Sequence, residues 1–302
     1  MAFTAEQLAA NPLFVEALKA FAIQLRGRYD EQPRLARFLA SHQRWLLSQA
    51  AFALHLEYDP DEPNSGLTTT RLREIVTTGR AASRNTVLNF LDQLVSYRFA
   101  KIAGDPARRP RRFEAADVTT KAMFGWMVAN LAALDGLDGG NRAKTLMEKP
   151  ELFKLIQPQV ARRSFDNIQW REPPRRVAMF LWTEAGGLVM DELIRRVRLS
   201  EEADGRFDIG RVDARLMAEQ FMMSRTHLQR LFRKAIDENC LQWQDETKKS
   251  NLWFTADFLA EYCRWQAVKF SIVDQVFEEV SGKLASEGEC DAAHRSAAVG
   301  EP

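Results

Sequence analysis

The sequence predicts a mainly α-helical protein with small β-hairpins, built as two similar units in tandem. Three observations predict it. Apolar residues recur with a period of about 3.6 over most of the 302 residues. Two closely spaced short helical patterns are followed by a pair of short strand candidates and a long helix, and this order occurs twice. The second occurrence lies 141 positions after the first: Ser83-Arg84 falls on Ser224-Arg225, Val87 on Leu228, Phe90-Leu91 on Leu231-Phe232, Phe113 on Phe254 and Ala115 on Ala256.

Each element has a local reason. Ala5 to Leu25 carries Leu8, Leu13, Phe14, Leu18, Phe21, Ala22 and Leu25 at helical spacing, and a second helical pattern runs from Leu35 to about Tyr58. The stretch Asp59 to Gly66 is rich in residues that start turns and stop helices, so it reads as a loop. A short helix follows over about Thr70 to Thr77, then a turn around Gly79 to Ala82. Ser83 is the expected N-cap of the next helix, its hydroxyl accepting from a free first-turn amide. That helix is expected to bury Val87, Leu88, Leu91, Leu94 and Val95 and to turn Arg84, Asn85, Thr86 and Asn89 outward. Phe99 to Ile102 and Phe113 to Ala115 are strand candidates around the Arg-rich 104–112, and a long helix spans about Asp117 to Leu134.

Residues 136–172 read as a linker region with one helix, ending at Pro173-Pro174, and Arg176 to Arg198 as a further helical stretch. The order then returns. Arg211 to about Phe221 is a helix, Met222 to Ser224 a turn, and Ser224 the cap of a helix from Arg225 to about Ile236 that buries Leu228, Leu231, Phe232 and Ala235. Leu241 to Asp245 and Leu252 to Phe254 are strand candidates, and a long helix covers about Thr255 to Val280. The small, polar tail, 281–302, is expected to be disordered. Helix, turn, helix, hairpin, helix is the order of a winged helix-turn-helix, so the predicted domains are 1–135, holding N-terminal helices and the first winged unit, and 173–280, holding the second.

The totals exclude several classes. With 42 Lys and Arg against 41 Asp and Glu the net charge is +1, so attraction to nucleic acid must come from local charge. No apolar run reaches the roughly 20 residues of a membrane span, and the first ten residues lack the layout of a secretion signal, so a cytoplasmic location is expected. Cys240, Cys263 and Cys290 form neither a disulfide framework nor a zinc spacing and are expected to be reduced thiols. Gly139-Gly-Asn-Arg-Ala-Lys-Thr145 lacks both glycines a phosphate-binding loop requires, at positions 138 and 143. No hydrolase or metalloprotease motif occurs, and the four His are scattered, so the protein is expected not to be an enzyme and to need no cofactor or metal. The seven Trp are expected to pack in the core and hairpins.

A helix entering the major groove needs an apolar side for docking and short polar or Arg side chains on the other. Arg84, Asn85, Thr86 and Asn89 fit that demand in the first unit, with Ser83 and Arg80 beside them; Arg225, Thr226, His227, Gln229, Arg230 and Arg233, opened by Ser224, fit it in the second. A wing needs cations near phosphates. Arg108, Arg109, Arg111 and Arg112 supply four within five residues, and residues 67–121 hold 11 Lys or Arg against 5 Asp or Glu. The second unit has 9 against 7 over 205–254, and its hairpin offers only Lys248 and Lys249, which leaves open a copy kept for architecture or partner contact.

Residues 67–122 resemble the winged helix-turn-helix domain of the MarR family of bacterial regulators. The resemblance is carried by Ser83-Arg-Asn-Thr-Val-Leu-Asn-Phe-Leu-Asp-Gln-Leu94, Asp105-Pro-Ala-Arg-Arg109 and Val118-Thr-Thr-Lys121. It departs from the family pattern where Ala107 stands for a second wing Asp and Ala122 for a Gly. Met223 to Lys234 looks like the helix-turn-helix of AraC-type regulators, a likeness read as convergent spacing because a hairpin and long helix follow it here. The resemblance implies a transcriptional regulator binding double-stranded DNA in a sequence-specific way, with helix 83–94 in the major groove and the 104–112 wing on the backbone. Helices near 5–56 are the candidate self-association surface for a homodimer, and no residue marks a pocket for a small-molecule effector. Two rivals stand beside it: a replication initiator with tandem winged helices, and an adaptor whose winged helices bind protein.

Overall fold

Caps and prolines divide the first 56 residues more finely than periodicity does. The structure, a computed structural model, describes residues 2–62, 64–78, 82–104, 110–245, 247 and 251–298. Thr4 and Gln7 form a capping box that opens α1 (Ala5–Ala10), and the Asn11-Pro12-Leu13 break separates it from α2 (Phe14–Glu31). Pro33 starts α3 (Pro33–Leu39), where its missing N–H costs nothing, and the Ser41 hydroxyl caps α4 (His42–Leu56).

The first repeated segment runs β1 (Leu67–Thr68), α5 (Thr69–Thr78), α6 (Arg84–Ser96), β2 (Ala100–Ala103), β3 (Arg112–Ala115) and α7 (Asp117–Asp138). Gly139 ends α7 in the left-handed region at φ 72°, a conformation that favours glycine. The segment 136–172, read above as a linker, supplies the end of α7 and then α8 (Arg142–Glu148), α9 (Leu152–Asp166) and α10 (Ile168–Arg171). It is part of the core: α9 packs on α4, and Ile156 and Val160 are fully buried.

Next come α11 (Arg175–Leu181) and α12 (Gly186–Arg195), which break the expected continuous stretch at Trp182–Ala185. The second repeated segment is β4 (Glu202–Ala203), β5 (Arg206–Asp208), α13 (Ala214–Gln220), α14 (Arg225–Asp237), β6 (Leu241–Trp243), β7 (Leu252–Thr255) and α15 (Ala256–Ala298). The segment expected to be disordered from Ser281 instead continues α15 to Ala298; its Ala-rich composition favours prolonging a helix already nucleated.

Two small antiparallel sheets result, with strand orders β1-β3-β2 and β4-β5-β7-β6. In each, the strand before the helix pair joins the return strand of the hairpin, Leu67 opposite Phe113 and Phe207 opposite Phe254. The architecture is therefore mainly α with small β-hairpins, as expected. Among the described residues no helix is long and apolar enough to cross a membrane.

The buried apolar side chains form one contiguous cluster from Leu8 to Val280. α2 packs on both α7 and α12, and α1 packs on α15. Most apolar side chains of 5–56, the region the sequence offers for self-association, are thus used inside the chain, while Leu13 and Ile23 stay exposed. Tyr29 meets Phe221 edge-on at 5.6 Å, and its hydroxyl donates to the Gln220 carbonyl, which fixes α2 to the end of α13. The rejected phosphate-loop look-alike has a structural role: Arg142 ties the fully buried Asp274 of α15 at 2.7 Å while also pairing with Asp135 and Asp138. The Phe3 N–H donates to the other oxygen of Asp274 at 2.7 Å.

Candidate nucleic-acid interface

Two 13-residue helices, α6 and α14, occupy the same frame 141 positions apart. Each is opened by a serine in extended backbone. Ser83 accepts from the Thr86 N–H at 3.2 Å and Ser224 from the His227 N–H at 3.1 Å. Each helix is closed by a residue in the left-handed region, Arg98 at φ 61° and Asn239 at φ 54°. The next amide then reaches back five residues, Phe99 to the Leu94 carbonyl and Cys240 to the Ala235 carbonyl, both at 2.8 Å. These caps satisfy helix-end amides and carbonyls and aim the chain into the hairpin.

The apolar sides dock inward. Val87, Phe90, Leu91 and Leu94 are buried on α6, and Leu228, Leu231, Phe232 and Ala235 on α14. Leu88, expected in the buried set, is 37% exposed because it sits one residue round from Val87, beyond the edge of the stripe. Phe90 takes its place, stacked on Phe38 at 5.5 Å.

The polar sides face solvent. Ser83, Arg84, Asn85 and Asn89 are exposed and Thr86 is half-buried; Ser224, Arg225, Thr226, His227, Gln229, Arg230 and Arg233 are all exposed. The balance between the units differs from the sequence count. Arg84 is the single cation on its helix, which also exposes Asp92. On α14, Arg225, Arg230, Arg233 and Lys234 are exposed and form no ion pair among the described residues. Four of the seven acids that dilute the second unit in a count are engaged elsewhere, while Asp237 stays exposed at the end of α14. Asp208 pairs with Arg198, Asp213 caps α13 through the Arg215 and Leu216 amides, Glu219 lies 4.0 Å from Arg215 and Glu238 pairs with Arg175. Lys234, four residues after Arg230, is a cation the sequence reading passed over; the i, i+4 spacing is the signal for it.

The first hairpin is present, with Ala100–Ala103 antiparallel to Arg112–Ala115 and Ala103 opposite Arg112. One of its four arginines is committed to the fold. Arg112 is half-buried, pairs with Glu114 at 2.8 Å and lies 3.8 Å over the Tyr58 ring. Arg112, expected as a wing cation, meets Glu114 because side chains two apart on a strand share a face. Arg111 is exposed at the base of the hairpin. Arg80, Arg108, Arg109, Lys248 and Lys249 lie outside the described residues.

Cys240 and Cys263 are buried, and burial pushes both thiols up to about 12, which keeps them in the unreactive protonated form. Among the described residues no three His, Cys, Asp or Glu side chains gather as metal ligands. Compared with family models, curated proteins and solved structures, the chain finds no match in any of the three.

Proposed function

We propose that this chain is a sequence-specific double-stranded DNA-binding protein, built as two winged helix-turn-helix units with α6 and α14 as recognition helices. One observation carries the reading: α14 presents four cations, unpaired among the described residues, with Thr226, His227 and Gln229 on the open side of a serine-capped helix whose other side is anchored in the core. Arg pairs with guanine and Asn or Gln with adenine, while the remaining cations meet phosphate. The second unit is the stronger DNA reader, and the first adds Arg84, Asn85 and Asn89. Transcriptional regulation is the activity this binding best serves.

Selection of bound sequences from random duplex DNA tests the reading. Two half-sites are expected, with affinity falling steeply as salt rises. Replacing Arg225, Arg230 and Arg233 together with Ala removes the stronger half-site, and replacing Arg84 and Asn85 relaxes the weaker one. Each lost phosphate contact lowers the salt slope by about one. Failure to enrich any sequence, or enrichment unaffected by the triple change, overturns the reading.

A further inference from the structure

Between the two repeated segments lies a cavity of about 200 Å³. Helices from every part of the chain wall it: α2 and α3, α4 and α7 of the first half, α10, and α12 and α15 of the second. Its walls are largely apolar and include four indoles, Trp45, Trp126, Trp170 and Trp265, with Trp170 stacked on Trp265 at 4.1 Å. A dry apolar cavity of about 150 Å³ is enough to bind benzene, so this one holds a ring with a polar end to spare. Gln32 lines it at the α2–α3 joint and is itself exposed, which marks the mouth.

Two opposite charges line the same void without touching. Lys269 is 3% exposed and, among the described residues, forms no hydrogen bond or ion pair. Its ammonium lies over aromatic faces, Phe21 at 4.0 Å, Phe270 at 4.1 Å and Trp126 at 5.8 Å. Asp191, from the facing helix α12, likewise has neither a hydrogen bond nor an ion pair among the described residues. Arg28 lines the wall too, with a buried Nε that lacks a partner, and its guanidinium lies where a Cβ on Gly125 would be. Burial drives the Lys269 ammonium and the Asp191 carboxyl each toward its neutral form, and each is opposed by the charge of the other. Aromatic faces offset only part of the several kcal/mol that desolvating an ammonium costs. An ion pair would offset more, yet the two groups are farther apart than the 4.0 Å such a pair requires. An occupant bearing both charges bridges that gap.

We propose that this cavity binds a small zwitterion, of the class of free α-amino acids with a large apolar or aromatic side chain. Its carboxylate meets Lys269, its ammonium meets Asp191 and its side chain fills the indole-lined end. This site stands independently of DNA binding, so either reading can fail while the other holds.

Titration calorimetry on the whole chain with L-phenylalanine and L-tryptophan tests it, using two controls that each lack one charge: 3-phenylpropionate and phenethylamine. At least one amino acid is expected to bind more tightly than both controls by roughly thirtyfold or more, the scale of one buried charge contact. Lys269→Met abolishes that advantage over phenethylamine, and Asp191→Asn abolishes it over 3-phenylpropionate. Both variants are expected to fold, because each removes a buried charge that has no ion-pair partner; thermal unfolding of each checks this. Should either variant unfold, a rise in the melting temperature of the unmodified protein with phenylalanine but not with the controls keeps the test decisive. Absence of binding by both amino acids, or equal binding by either control, overturns the proposal.

Discussion

His42 shows how a single side chain reports on the state of the fold. Its ring is 4% exposed, its Nε2 lies 3.1 Å from the Trp170 carbonyl, and Trp45, Trp170, Trp182 and Trp265 surround it. Burial pulls its pKa from 6.5 down to about 4, against hydrogen bonds to backbone that raise it. The native state therefore holds a neutral imidazole that the unfolded chain would protonate sooner. Its contribution to stability is full above about pH 6.5 and is lost as the pH falls toward about 4, roughly 3 kcal/mol in all. His42→Gln is expected to flatten the urea-midpoint profile across that window, and an unchanged slope would rule the account out. Arg142 makes the converse case. Burial raises the Asp274 carboxyl, while the Phe3 amide and Arg142 lower it, so removing the guanidinium strands a buried charge. Arg142→Met is expected to cost about 3–5 kcal/mol in denaturant unfolding, with much of it regained in Arg142→Met/Asp274→Asn. If the double variant is no more stable than the single one, the network is not what holds α8 to α15.

At the level of elements, Ser83→Ala and Ser224→Ala should each cost about 1 kcal/mol, and the corresponding glycine variants less. Because the two caps share no partner, their costs should add within a few tenths in chemical denaturation. Marked non-additivity would mean that the two helices are coupled. These helices and caps were readable in the sequence, since a serine hydroxyl, a first-turn amide and an apolar stripe all lie within one helix. The same held for both hairpins, flanked as they are by turn residues. β1 and β5 were not readable, because two or three residues carry no alternating pattern and their partners, Phe113 and Phe254, lie more than 40 positions away. The site was legible in outline: the outward faces of α6 and α14 emerged where periodicity places them. Its electrostatics were not, because counts do not reveal that Glu238 is engaged by Arg175 or Arg112 by Glu114. The cavity was invisible for a related reason. Trp45, Trp126, Trp170 and Trp265 come from four separate helices, and nothing local marks them as neighbours.

Across the whole molecule, α2 grips both halves and α9 lies between α4 and α15, so neither repeated segment keeps a core of its own. Gly187 shows how close the approach is. Its N–H donates to the Ala40 carbonyl at 3.0 Å, and a Cβ there would overlap that oxygen. Unfolding followed by tryptophan fluorescence, which reports the junction, and by far-UV dichroism, which reports all helices, should give one coincident transition. Two separated transitions would mean that the halves are autonomous. The void at that junction has a mechanical consequence. Empty space inside a folded chain is eliminated on unfolding, so hydrostatic compression pushes the equilibrium toward the denatured state in proportion to it. This protein should therefore be barosensitive at its tryptophans, and a bulkier residue grown into the gap should let it withstand greater compression.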